Sequence, residues 1–192
     1  MHSFKTFISK YVNLPEKEWL LIKRELLREE FPKGHLILRE GEVCKNVYFL
    51  EKGLLRYFIH NSGEEVTKFF TIPPYCFTSI QSFSNQKPSK ENIETLEKSI
   101  VYTMSKSSSD RLMELDSWNQ FVLKLIEEVQ FFTENILVSL QNQTAEERYA
   151  ALIEKESELF INVPLKHIAS YLGIKPQSLS RIRKKFIQNL KS

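Results

Sequence analysis

Cysteine is nearly absent from this chain of 192 residues: Cys44 and Cys76 are the only two. A pair of thiols excludes a disulfide framework and fits a reducing, cytoplasmic setting. It also excludes a four-thiolate iron–sulfur cluster within one chain. Glycine is scarce, at five residues, so each one reads as a specific turn rather than as part of a flexible linker. No apolar run approaches the eighteen or so residues needed to cross a bilayer. The opening MHSFKTFISKYVNLP lacks a continuous apolar core, which argues against a secretory signal. Asn142–Gln143–Thr144 fits the glycosylation pattern by chance alone if there is no export. Nucleophile elbows, phosphate loops and HExxH are all missing, so no catalytic constellation is expected.

The most telling absence is acidic charge at the end of the chain. Between Pro164 and Ser192 there are seven Lys and Arg and no Asp or Glu. The whole chain carries only +3, so residues 1–163 are net acidic at −4. A basic end on an acidic body is the charge pattern of a nucleic-acid reader with a separate sensory or scaffold part.

What is present in that basic stretch has the spacing of a helix-turn-helix. Leu165, Ile168, Ala169 and Leu172 share one helical face. Gly173 can end that helix in a left-handed conformation, and Pro176 suits the first position of the next. In the second helix Leu179, Ile182, Phe186 and Leu190 form the expected buried stripe, with Gln177, Ser178, Arg181, Lys184 and Lys185 outward. Such a motif lays its second helix in the DNA major groove. His167, on the first helix, is expected at the surface or near phosphate and not as a metal ligand.

Upstream, residues 1–31 read as helical, with Trp19, Leu20, Ile22, Leu26 and Leu27 as the apolar side. From about Leu36 to Met104 the text changes to short runs: LIL, VYFL, LLRYFI, VTKFFTI, IETL and SIVYTM. These are punctuated by Gly and Pro, which predicts a β sandwich or jelly roll, with a hairpin at Asn61–Ser62–Gly63. From Ser107 the period becomes helical. Leu115, Trp118, Val122, Leu125, Val129, Phe132 and Ile136 step by three and four, a heptad seam that predicts one long helix pairing with a second copy; packing on its own domain is the alternative. Asp110 or one of Ser107–Ser109 is the expected cap. Thr144 and Glu147 form a capping box that starts a new helix running to about Glu156. The fold class expected is therefore α+β: a sensor domain over 1–106, a dimerisation helix over 107–142 and an all-α DNA-binding domain over 143–192.

With these motifs in order, ILREGEVCKNVYFLEKGLLRYF resembles the start of a cyclic-nucleotide-binding domain. HIASYLGIKPQSLSRIRKK resembles the C-terminal motif of the Crp/Fnr family of bacterial transcription regulators. The resemblance implies a homodimer joined by the long helix, reading a palindromic site on double-stranded DNA, with RNA polymerase as a further candidate partner. It places Gln177, Ser178 and Arg181 at the family's recognition-helix positions and assigns base reading to Gln177 and Arg181. Gln suits adenine and Arg suits guanine O6/N7. Ser178, Ser180, Lys184 and Lys185 would hold phosphates, as would Lys175, which replaces the Ser or Thr cap usual in the family. The β-hairpin wing that often follows the recognition helix in the family is not expected here.

The ligand cassette departs from the family pattern. Its Gly-Glu turn aligns with Thr78 and Ser79, and its Arg-Ser pair with Ser89 and Lys90, leaving Lys90 and nearby Lys87 as stand-ins for the Arg. Neither cAMP nor cGMP is then expected to bind, and the pocket holds another effector or none. Haem ligation by Cys76, His35 or His60 is conceivable, but a lone His or Cys in a strand domain is more often structural. No cofactor or metal is expected. The competing reading is a small-molecule or protein-binding sensor whose basic end binds DNA without sequence preference.

Overall fold

A computed structural model describes residues 1–160 and 163–189. Two short helices, α1 (His2–Ile8) and α2 (Glu16–Arg24), precede eight strands. These are β1 (Leu27–Phe31), β2 (Leu36–Leu38), β3 (Asn46–Lys52), β4 (Leu55–Asn61), β5 (Glu64–Thr71), β6 (Tyr75–Phe77), β7 (Asn92–Thr95) and β8 (Ser99–Ser105), with α3 (Ile80–Asn85) between β6 and β7. Then follow α4 (Lys106–Leu112), α5 (Asp116–Asn142), α6 (Ala145–Phe160), α7 (Leu165–Tyr171) and α8 (Pro176–Asn189). The strands form two antiparallel four-stranded sheets, in the orders β1-β8-β3-β6 and β2-β7-β4-β5. The α+β expectation and the strand-rich middle are as observed.

Period-two alternation decides which residues go where. On β3, Tyr48 and Leu50 face the second sheet and meet Phe77, Val101, Leu55, Tyr57 and Ile93. Phe49 between them faces the other way, with its register partners Tyr102 and Cys76, onto Phe4, Phe7, Trp19, Ile22 and Phe121 of the helices. Phe4 stacks on Phe49 at 4.5 Å between ring centroids. Burial pushes the Cys76 thiol well above its ordinary range, as befits a core residue. At the β4–β5 turn both Ser62 (φ 52°) and Gly63 (φ 84°) are left-handed, which is the two-residue hairpin expected there. Gly53 is required for a different reason: at φ 116°, a Cβ would lie 2.1 Å from Ser99 Oγ.

Three expectations are corrected. Residues 27–31 are not helical: α2 ends at Arg24, and the chain pairs in register with β8, Leu27 opposite Thr103 and Phe31 opposite Ser99. The helical spacing of Trp19 to Leu27 runs on by coincidence, and the sheet edge overrides it. Helix from Ser107 to Leu140 is not continuous. It breaks at Met113–Leu115 into α4, capped by Ser105 rather than by Ser107–Ser109 or Asp110, and α5, whose first turn is held by another element. Glu18 of α2 accepts from the Ser117 amide at 3.2 Å and from its hydroxyl at 2.5 Å, a tertiary cap with no local signature.

The third correction concerns the heptad seam, whose first half turns inward. Trp118 is buried and Val122 and Leu125 pack beside it, joined by Phe121, which the seam did not include. Leu115 packs against the same core. From Ile126 on, the apolar face of α5 has no apolar cover among the described residues: Ile126 is 59%, Leu137 55% and Leu140 53% exposed, with Phe132 also exposed and Val129 and Ile136 half-buried. At 1.5 Å per residue, α5 is about 40 Å long. Tyr11, donating to Glu128 Oε2 at 2.5 Å, marks the level at which it leaves the β-roll.

Candidate nucleic-acid interface

The C-terminal unit assembles as its spacing requires. Thr144 and Glu147 form the capping box: the Thr144 amide donates to Glu147 Oε2 at 2.7 Å and the Glu147 amide to Thr144 Oγ1 at 3.2 Å. These bonds hold the Glu147 carboxyl below its ordinary range. Gly173 takes φ 69°, and the Ile174 amide donates back to the Ala169 carbonyl at 3.0 Å, closing the turn between α7 and α8. Ile168, Ala169, Leu172 and Leu179 are buried around Tyr149 of α6, with Leu165, Ile174, Ile182 and Phe186 packed alongside. Leu190, expected in the same stripe, lies outside the described residues. Arg148 of α6 ties the corner by donating to the Leu172 carbonyl at 2.9 Å, a role with no local sequence signal.

This core leaves the whole candidate reading set outward. Lys175, Gln177, Ser178, Ser180, Arg181, Lys184 and Lys185 are all exposed. Gln177 and Arg181 are four residues apart on α8 and project from one face. Lys185 also pairs with Glu146 of α6 at 2.8 Å, a surface contact of small worth that a phosphate can displace.

His167 corrects an expectation: it is 8% exposed and points into the β-roll, not to solvent. Its partner is Arg56 of β4, which is 0% exposed. Arg56 Nη1 lies against both imidazole nitrogens, 2.9 Å from Nε2; Nη2 donates to Glu65 at 2.5 Å, and Nε lies 3.4 Å from Glu94. The guanidinium also sits 4.0 Å from the centre of the Phe58 ring. Burial, then the charge of Arg56, lowers the His167 pKa to about 4, so the imidazole is neutral and offers Arg56 a lone pair. Burial pushes Glu65 up, but the bond and charge of Arg56 outweigh it and leave Glu65 below its ordinary range. Arg56 was visible in the sequence as the one charge in the apolar run LLRYFI.

In the β-roll, the four cassette positions do not form a basic cradle. Thr78 Oγ1 donates to the Asn46 carbonyl at 2.9 Å. Ser79 and Ser89 are buried and bond to each other at 3.2 Å, and Ser79 donates to Glu91 Oε1 at 2.7 Å. Lys90 is exposed, as is Lys87. Glu91, two residues after Ser89, is instead the charged group at this site, paired with Lys68. Tyr57 and Phe69 stack at 4.2 Å between centroids, filling the roll beside it. His35 stacks on Phe31, and His60 pairs with Glu40 at 2.9 Å.

Comparison with known proteins agrees with this architecture. Residues 28–116 match the cyclic nucleotide-binding domain family. No curated protein sequence matches the chain. Among solved structures, FixK2 from Bradyrhizobium japonicum is 20% identical with a TM-score of 0.71, covering 85% of this chain and 85% of that one. A regulator of the Crp/Fnr family from Eubacterium rectale is 16% identical with a TM-score of 0.71, covering 92% and 85%. CLP from Xanthomonas campestris, a c-di-GMP-responsive global regulator, is 11% identical with a TM-score of 0.70, covering 91% and 93%. No helix among the described residues is long and apolar enough to cross a membrane. Residues 28–116 thus match the cyclic nucleotide-binding domain family, and the chain as a whole shares the fold of these solved Crp/Fnr-type structures.

Proposed function

We propose that this protein is a DNA-binding transcription regulator that acts as a homodimer on a palindromic site, and not an enzyme. The observation that carries this is the outer face of α8. A closed helix-turn-helix core presents Gln177, Ser178, Arg181 and Lys184 together on an exposed surface with no acidic residue between 164 and 189. Gln177 and Arg181 read bases, while Lys175, Ser180, Lys184 and Lys185 hold phosphates and set affinity. The dimer forms along the uncovered half of α5, through Ile126, Val129, Phe132, Ile136, Leu137 and Leu140.

Selection from random-sequence DNA, followed by titrations across a salt series, tests this reading. The protein should recover a palindrome. Arg181→Ala should lose about 1–3 kcal/mol of discrimination, because a bidentate guanine contact is worth that much. Lys184→Ala should weaken all sequences alike and reduce the salt slope by about one. Uniform, salt-sensitive binding with no recovered site would favour the non-specific sensor instead.

Neither cAMP nor cGMP is the effector in this proposal. A nucleotide phosphate would meet the Glu91 carboxylate rather than an Arg, and Ser79 and Ser89 already satisfy one another. An anion beside a carboxylate is repelled, and a lone surface Lys lacks the bidentate fork of Arg. Calorimetry with either nucleotide should give no binding isotherm. A stoichiometric one would restore nucleotide sensing.

A further inference from the structure

We infer that Arg56 and Ser170 together fix where the helix-turn-helix sits on the β-roll, and so set the half-site spacing that a dimer of this chain accepts. The inference rests on the regulator reading above.

The docking surface has an apolar part and a polar part, and they do different work. Leu54, Leu96, Phe70 and Ile72 of the β-roll pack against Ile168, Leu172 and Tyr171 of the head, with Phe70 and Tyr171 edge to face at 5.4 Å. Apolar contact supplies attraction but tolerates sliding, since it is non-directional. The polar part does not tolerate it. β5 is the edge strand of its sheet, so Glu65 and Thr67 turn a carbonyl and an amide away from β4. Ser170 of α7 stands in for the missing strand. Its hydroxyl accepts from the Thr67 amide at 2.9 Å and donates to the Glu65 carbonyl at 3.1 Å.

Arg56 supplies the second point. It lies on the outer face of its sheet, where the head closes over it. Its charge is met by Glu65 and Glu94 from the sheet and by the His167 lone pair from the head. Shifting α7 by one turn, about 5.4 Å, would leave a buried guanidinium short of an acceptor and the Thr67 amide unpaired. A buried ion pair adds little net stability compared with apolar packing; its best-attested use is to fix register. Two polar points, Arg56 against His167 and Ser170 against β5, define a unique seat where the apolar patch alone would not.

 Arg56 is on β4 and the groups that bond Ser170 are on β5, so the two anchor points lie on different strands and resist rotation of the head as well as translation.

The test uses the full chain, the half-site recovered by selection, and a set of DNAs carrying two copies of it at stepped separations. Amide exchange at Thr67 is read in parallel. The unmodified protein should favour one separation by about tenfold or more, the advantage expected when both heads engage at once, and should protect the Thr67 amide. Arg56→Met should bind neighbouring separations almost as well as the best one, with affinity for a single half-site unchanged. Ser170→Ala should broaden the preference in the same way and speed exchange at Thr67, and it carries the test if Arg56→Met does not fold. A sharp preference that survives in the variants overturns this inference alone. Failure of the unmodified protein to bind any half-site overturns the regulator reading and this inference with it.

Discussion

Replacing Ile126 and Leu137 by aspartate is expected to turn a dimeric protein into a folded monomer. Both side chains are more than half exposed in the single chain, so the β-roll does not depend on them. In a dimer they would be buried, and two unpaired carboxylates on each helix would have to be desolvated, a cost no neighbouring cation offsets. Light scattering should show the mass halve, while circular dichroism and the melting temperature of the β-roll stay near their starting values. Affinity for a palindrome should fall by about 10²- to 10⁴-fold, because the second head loses its effective concentration. Unmodified protein that is monomeric at micromolar concentration would remove the premise. Leu125→Asp is the wrong probe for this question: Leu125 packs against the helix–sheet core, so its loss strikes the fold as well.

Phe121→Ala should have the largest effect on stability. Phe121 is 1% exposed and meets four rings, those of Phe4, Phe7, Tyr11 and Trp118. Truncating a buried Phe costs about 3–5 kcal/mol, which for a chain of this size lowers the melting temperature by roughly 10 °C. In the monomeric Ile126→Asp, Leu137→Asp background, Phe132→Ala, eleven residues further along the same helix and exposed in the single chain, should change the melting temperature little. Equal effects from the two would mean that α5 is not anchored through Phe121.

The pair also shows where sequence reasoning stopped. Local signals were legible: the hairpin at Ser62–Gly63, the capping box at Thr144 and Glu147, and the Gly173 turn each depend on a few adjacent residues and stand as read. The helix-turn-helix core was legible for the same reason, since its spacing is set within one short segment. What failed was decided at long range. β1 is a strand because β8 is beside it, and the first turn of α5 is held because Glu18 reaches the Ser117 amide and hydroxyl. The heptad seam ran unbroken through Leu125, but spacing cannot say whether a helix face meets its own domain or a second copy, and here it does the first before it is free to do the second. His167 gave no signal of burial, since its partner Arg56 is 111 residues away. Glu91 stood next to the cassette residues in plain view, yet its bond to Ser79 depends on α3 and β7 folding back together.

The serine that stands beside β5 has a consequence for the handling of this protein. Val66 to Phe70 reads VTKFF, a β-branched and aromatic stretch interrupted by one charge. Such an edge, left open, is a template on which strands from other molecules add. While Ser170 occupies the Glu65 carbonyl and the Thr67 amide, that template is covered. Preparations in which the C-terminal unit is removed by proteolysis or truncation should therefore be the ones that precipitate, and a lysine placed at Val66 should keep them in solution.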